Sequence, residues 1–278
     1  MQRVLIPTDF SENAWNATCY ALRFFQGENI TFHFLHIDIS LQVLKDTGLH
    51  SAGLSYKGTV SEGIQVKMQQ WVTKARMEDP NTKHSFEHAI LQAPFVEGIR
   101  VYLDTNDIQF IVMGTKGVSG LKEMTIGSKT GAIITRVKCS ILVVPEKALF
   151  KEPLNIGFPT DFNLLYRDKI INTLRDIAKI HHSAIKVLRV AQTEKPLDNY
   201  QNSNRNVLKE YLSEIPHSFH VIENPNLENA LQLFISTMQI DMVAMIAKNL
   251  NFFERILFKP KVAQISYHMH IPFLVLHE

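Results

Sequence analysis

The sequence predicts an α/β protein made of two tandem open parallel-sheet units, and three observations carry that prediction. Short apolar runs of strand length alternate with stretches of helical period through both halves of the chain. The tetrapeptide Pro-Thr-Asp-Phe occurs at 7–10 and again at 159–162, 152 residues apart and each time after an apolar run. Further blocks repeat in the same order: Gln109 to Gly114 is paralleled by Asp241 to Ala247, and Leu142 to Pro145 by Phe273 to Leu276. The units are expected at residues 1–147 and 153–278, with the boundary near Ala148–Leu154.

In the first half, Arg3 to Pro7 reads as a strand. Ser11 is placed to cap a helix that begins near Glu12 and ends by Gly27. Ala14, Ala17, Thr18, Ala21, Leu22 and Phe25 recur at helical spacing and should face a core. Ile30 to Ile37 is a second strand, partly apolar on both faces, as a sheet covered by helices requires. Leu41 to Val60 holds three glycines, lacks a clean period, and reads as a loop with a short helical part. Ser61 to Glu78 is helical and is closed by Asp79-Pro80. Lys83 to Leu91 is a third strand, and Phe95 to Leu103 a helix behind Pro94. Ile108 to Met113, Ser128 to Val137 and Ile141 to Val144 complete the unit as strand, helix and strand.

The second half starts over at Asn155 to Thr160. A helix over Asp168 to Ile180 and a strand over Ile185 to Val190 follow. Ala191 to Arg205 is polar and reads as loop, with a helix expected over Asn206 to Ser213. Ser218 to Ile222 is a strand, Leu227 to Met238 a helix, and Asp241 to Ala247 and Phe273 to Leu276 are strands.

Candidate chemistry gathers at Val112 to Thr130. A strand breaks there into a loop with Gly114, Gly117, Gly120 and Gly127, followed by Ser128 and Thr130 at a helix start. Glycines let a backbone approach a ligand closely, and a helix start offers unpaired N–H groups to an anion. The stretch reads as a phosphate cradle, although turn glycines leaving a strand explain them as well. Neither GxxxxGK[ST] nor GxGxxG is present. Ligands of open parallel sheets bind beyond the carboxyl ends of the strands, so neighbouring first and fourth strands would bring Asp9 and Gly114 to one crevice. A carboxylate there suits a base or ribose donor, or is simply a cap or turn residue, and the glycine loop suits phosphates; the ligand reading of the two together describes a nucleotide. Lys116 and Lys129 could approach phosphate or simply be solvated. Ile37 and Met113 could pack on a base or be plain core. The second half keeps Asp161, but Ala247 stands near the place of Gly114, Leu250 at that of Gly117, and Phe258-Lys259-Pro260 around that of Gly127-Ser128. Proline removes an N–H donor, and this half is expected not to bind nucleotide in the same way. Its loop, with Phe252, Phe253, Ile256 and Leu257, would be filled by its own side chains or form an interface.

Composition narrows the class. The chain has 278 residues, 45% of them apolar, with 29 basic against 27 acidic side chains. A formal charge of +2 gives no electrostatic case for nucleic acid. The first residues already read as a strand rather than a signal peptide, and no apolar run approaches the ~20 residues needed to span a bilayer. A cytoplasmic protein is the expectation. Cys19 and Cys139, neither in a CxxC, read as buried thiols rather than a disulfide. His181-His182 and His268 with His270 make no convincing zinc arrangement.

At these residues the sequence resembles the universal stress protein family in its tandem form. Gly114, two residues, Gly117, nine residues, then Gly127-Ser128 matches the family's nucleotide-binding pattern without a gap. Leu5 to Ser11 and Ile141 to Pro145 resemble it too. The resemblance implies an adenine nucleotide alpha hydrolase-like fold, with sheet order 3-2-1-4-5 and helices on both faces. It implies ATP as cofactor, with or without Mg2+. The loop Pro7-Thr8-Asp9 would contact the adenosine, the backbone around Ile37 and Met113 would line the base pocket, and Gly114, Gly117, Gly127, Ser128, Lys129 and Thr130 would hold ribose and phosphates. It further implies pairing through the last strands, residues 141–145 and 272–276, a cover from region 41–60, and partners that include a homodimer and an unidentified protein. No residue stands out as a general base. The reading is an ATP-binding stress or signalling protein with the nucleotide as a conformational ligand. The alternatives are a partner-binding scaffold and a slow ATPase.

Overall fold

Among the described residues, ten short strands and seven helices form by the alternation that the sequence displays. The computed structural model describes residues 2–38, 61–115, 127–191, 196–248 and 271–277. The expectations for 41–60, for Lys116, Gly117 and Gly120, for Leu250 to Pro260, and for His268 and His270 lie outside the described residues. The chain divides into two compact units, one running to Phe150 and the other taking up from Lys151.

The first unit consists of β1 (Gln2–Pro7), α1 (Glu12–Phe24), β2 (Ile30–Asp38), α2 (Glu62–Glu78), β3 (Ser85–Gln92), α3 (Phe95–Asn106), β4 (Phe110–Gly114), α4 (Ser128–Arg136) and β5 (Ser140–Val144). All its strand pairs are parallel, in the order β3-β2-β1-β4-β5. Both faces are covered, and alternation along β2 shows how. Phe32 meets Phe25 at the end of α1, whereas the next residue, His33, bonds Tyr102 of α3. Successive strand residues point to opposite faces, so α1 and α2, which touch each other, lie on one face and α3 with α4 on the other. The central strands are apolar on both sides: Val4, Leu5, Ile6, Ile111 and Val112 have no exposed surface.

Local signals set the ends. Ser11 Oγ accepts the Ala14 N–H and caps α1, and Ser61 Oγ does the same for α2 with Ile64. The α1 positions expected to face the core are buried. β4 begins at Phe110, two residues later than its apolar run suggests, because Asp107 takes a left-handed φ of 49° and closes α3.

The second unit consists of β6 (Asn155–Pro159), α5 (Asp168–Ile180), β7 (Ala184–Ala191), α6 (Asn199–Tyr211), β8 (His217–Glu223), α7 (Leu227–Thr237), β9 (Met242–Ile246) and β10 (Phe273–Leu276). Its strands are also parallel, in the order β8-β7-β6-β9-β10. α6 corrects the expectation of a loop up to Arg205. It starts at Asn199 behind a capping box, in which Asp198 accepts the Gln201 N–H and the Gln201 side chain accepts the Asp198 N–H. Only Asn204 and Leu208 of α6 are buried, so no hydrophobic period announced its first two turns.

Among the described residues no helix is long and apolar enough to cross a membrane. Both cysteines are free thiols. Cys139 is buried, whereas Cys19 is partly exposed on α1.

Candidate functional site

β1 and β4 are direct neighbours. Their carboxyl ends therefore deliver the Thr8–Ser11 turn and Gly114 to the same edge of the first unit, where α4 also begins.

The turn is built from side chain to backbone bonds. Thr8 N–H donates to Leu35 O at 2.9 Å and continues the pairing with β2. Thr8 Oγ1 accepts the Phe10 N–H at 3.0 Å, and Asp9 Oδ1 accepts the Ser11 N–H at 3.1 Å. Phe10 takes a left-handed φ of 61°, uncommon for a bulky side chain, and its ring is held on both sides. It stacks on His36 at 4.6 Å and meets the edge of Trp71 at 5.8 Å. His36 Nδ1 lies 2.9 Å from Thr8 O. A carbonyl only accepts, so this nitrogen carries the proton and the imidazole braces the turn.

On the neighbouring strand, Gly114 ends β4. Thr115 N–H donates to Val144 O at 3.1 Å, and Gly127 N–H donates to Thr115 O at 2.6 Å. α4 starts at Ser128 with Gly127 as its cap. It has no side-chain capping bond and no acidic residue in its first turn. Such an end carries unpaired N–H groups and partial positive charge, the electrostatics that suit an anion. Thr130 Oγ1 donates to Gly114 O at 2.8 Å and ties α4 to the end of β4.

The sequence-predicted residues fall into two groups. Pro7, Thr8, Asp9, Gly114, Gly127 and Ser128 come together at this edge, with Ser128 exposed and Asp9 half-buried. Others are engaged within the protein. Thr130 is 2% exposed and its hydroxyl is used on Gly114. Lys129 is exposed, with Nζ 5.2 Å from the centroid of Phe95. Ile37 and Met113 are buried, and Ile37 packs on Gly98 of α3. Gly117 lies outside the described residues. Asn13 and His36 were not read from the sequence. Asn13, a buried polar residue on the inner face of α1, lies against Gly114.

The second unit repeats the turn and not its surroundings. Thr160 Oγ1 accepts the Phe162 N–H at 3.1 Å, Asp161 Oδ1 accepts the Asn163 N–H at 3.0 Å, and Phe162 has φ 60°. Here, however, the Tyr166 hydroxyl pairs with Thr160 Oγ1 at 2.8 Å, and burial pushes the phenol well above its ordinary pKa. From α6, Gln201 Nε2 donates to Asp161 O and Asn204 Nδ2 donates to Phe162 O. The β9–β10 register also corrects one correspondence. Ala247 N–H bonds Leu276 O as Thr115 N–H bonds Val144 O, so Ile246, and not Ala247, takes the place of Gly114.

Of the two histidine pairs, only His181-His182 lies among the described residues. His181 is buried and its Nδ1 lies 2.5 Å from Glu152 Oε1. No group of three or more His, Cys, Asp or Glu among the described residues could hold a metal ion.

Comparison with known proteins follows the same division. The Universal stress protein family model matches residues 1–145. A curated universal stress protein of Methanocaldococcus jannaschii is 27% identical over 161 residues, which cover 52% of this chain and 96% of that protein. Among solved structures, a universal stress protein from Archaeoglobus fulgidus superposes with a TM-score of 0.62 at 16% identity, covering 98% of this chain and 97% of that one. A Pseudomonas aeruginosa protein attributed to the same family gives 0.59 at 13% identity, covering 99% and 93%. These two share the fold over nearly the whole length.

Proposed function

This chain belongs to the universal stress protein family, and from that premise we propose that its first unit binds ATP, with or without Mg2+, as a conformational ligand. The observation that carries this reading is the meeting, at the ends of β1 and β4, of an acidic turn, a glycine and an uncapped helix start free of acidic residues. A carboxylate at one side and helix N–H groups at the other fit a molecule with hydroxyl or amino donors at one end and phosphate at the other.

In this reading the Pro7-Thr8-Asp9 loop contacts the adenosine, held in shape by His36 and Phe10. The backbone at Ile37 and Met113 lines the base pocket. Gly114, Gly117, Gly127 and Ser128 receive ribose and phosphates, and Lys129 leaves Phe95 to approach them. Thr130 acts from beneath through Gly114. No residue is assigned a catalytic role. Binding to the folded state alone stabilises it by about 2.7 kcal/mol when ligand stands at a hundred times Kd.

Calorimetric titration of ATP and Mg2+ into the full chain tests this. Saturable binding is expected, together with a rise in Tm, and both should be lost in Gly127→Val and weakened in Ser128→Ala. Absence of heat and of any thermal shift in the wild type would overturn the proposal.

A further inference from the structure

Gly114 shows no left-handed φ, so backbone freedom is not what demands a glycine here. Space is. A Cβ at this position would stand 2.6 Å from Asn13 Nδ2, 2.7 Å from Asn13 Cγ and 2.8 Å from Asn13 Oδ1. These separations are far inside the ~3.5–4.0 Å optimum for non-bonded atoms. Asn13 has little room to retreat. It is 7% exposed and sits in the first turn of α1, which Ser11 caps. On the other side, the carbonyl of the same glycine accepts the Thr130 hydroxyl from α4. Two helices from opposite faces of the sheet thus hold one residue.

The second unit supplies a natural contrast. Ile246 occupies the register position of Gly114. Counting by the 152-residue repeat, the position of Asn13 falls on Leu165, which is 68% exposed. α1 and the helix after β6 are both 13 residues long, but the second starts at Asp168, four residues later than the same count from Glu12 would put it. Where the glycine is gone, the asparagine is gone too, and the helix begins further from the strand.

We propose that Asn13 is a positioning residue: with Thr130 it fixes Gly114, and thereby the direction in which β4 leaves toward the nucleotide. Gly114 is glycine because Asn13 fills the space, and not because a ligand must touch its Cα. The proposal takes the ATP site of the first unit as given. It separates from a direct ligand contact in one respect. If the ligand demands the glycine, removing Asn13 does nothing for an alanine at 114. If Asn13 demands it, removing Asn13 makes room.

The test is a double-mutant cycle in the full chain with Asn13→Ala, Gly114→Ala and the pair, read by ATP titration and by thermal denaturation without ligand. Gly114→Ala alone should weaken ATP binding by about tenfold or more and lower the Tm. The double variant should recover to within about twofold of Asn13→Ala in affinity and regain most of the lost Tm. A double variant as weak as Gly114→Ala, or a Gly114→Ala chain that binds like the wild type, overturns the proposal. If the wild type takes up no ATP, the nucleotide reading falls by itself, and the Tm cycle still decides whether Asn13 is what excludes a side chain at 114.

Discussion

The turn after β1 and the turn after β6 are one structure built twice, with different neighbours. Both place a threonine hydroxyl under a phenylalanine N–H, an aspartate oxygen under the N–H two residues on, and a phenylalanine at φ near 60°. The first is braced from below by His36 at Thr8 O. The second is sealed by Tyr166, Gln201 and Asn204, which bond its hydroxyl and two of its carbonyls. The difference teaches that the Pro-Thr-Asp-Phe turn is first a device for leaving a strand. An aspartate in this turn therefore does not by itself mark a binding site. Asp9 and Asp161 have the same local geometry, and what surrounds them decides what each can do.

The sharpest way to break the comparison is to write the second unit's residue into the first. Gly114→Ile should abolish measurable ATP binding and destabilise the first unit by about 3 kcal/mol or more, since it overpacks the space that Asn13 fills. Ile246→Gly should confer no binding on the second unit, because Tyr166 and α6 still close its turn. Titration and thermal denaturation of both variants decide this.

A smaller effect separates the aspartates. Asn keeps the oxygen that each turn needs, so Asp9→Asn and Asp161→Asn should both fold with little change in Tm. ATP affinity should fall about tenfold in the first and stay unchanged in the second. Equal losses in both would mean that the second turn is open after all.

The units also differ in how they meet acid. His33 lies in the middle of β2, 1% exposed, with Nδ1 3.0 Å from the Tyr102 hydroxyl, whose own pKa burial pushes up to about 12. Burial holds the His33 pKa below its ordinary 6.5. Below pH 6.5 the unfolded chain therefore takes a proton that the native state refuses, and stability is lost as pH falls toward the native pKa. By sheet register the second unit has Lys186 at this position, with Nζ donating to Met238 O. Its own acid-sensitive group is His220, held low by burial and by Lys186. Tm measured from pH 7.5 to 5 should fall less steeply in His33→Gln and again less in the double variant with His220→Gln. An unchanged slope would refute the assignment.

The smallest effect is at the helix starts. Ser11→Ala should cost about 1 kcal/mol by removing the α1 cap. Ser61→Ala should likewise cost up to about 1 kcal/mol by removing the α2 cap. Chemical denaturation resolves both.

Much of this was legible in the sequence because it is local. The Pro-Thr-Asp-Phe repeat, the Ser11 cap and the apolar strands depend on residues within a few positions of each other, and they stand where spacing puts them. The glycines of the site were legible as glycines, but their reason was not. Asn13 is about a hundred residues from Gly114 in the chain, and only the adjacency of β1 and β4 brings them together. The match of Ile246 to Gly114 was missed by one residue, because an apolar run does not fix where its hydrogen-bond ladder stops. The start of α6 carried a readable signal in Asp198 and Gln201, hidden by a polar surface that lacks a hydrophobic stripe.

The central claim is that one unit of two holds ATP. Denaturing freshly purified full-length protein, then identifying and counting the nucleotide released, tests it most directly. The account predicts one ATP per chain, retained in Asp161→Asn and lost in Gly114→Ile. Two per chain, or one that survives Gly114→Ile, would contradict it.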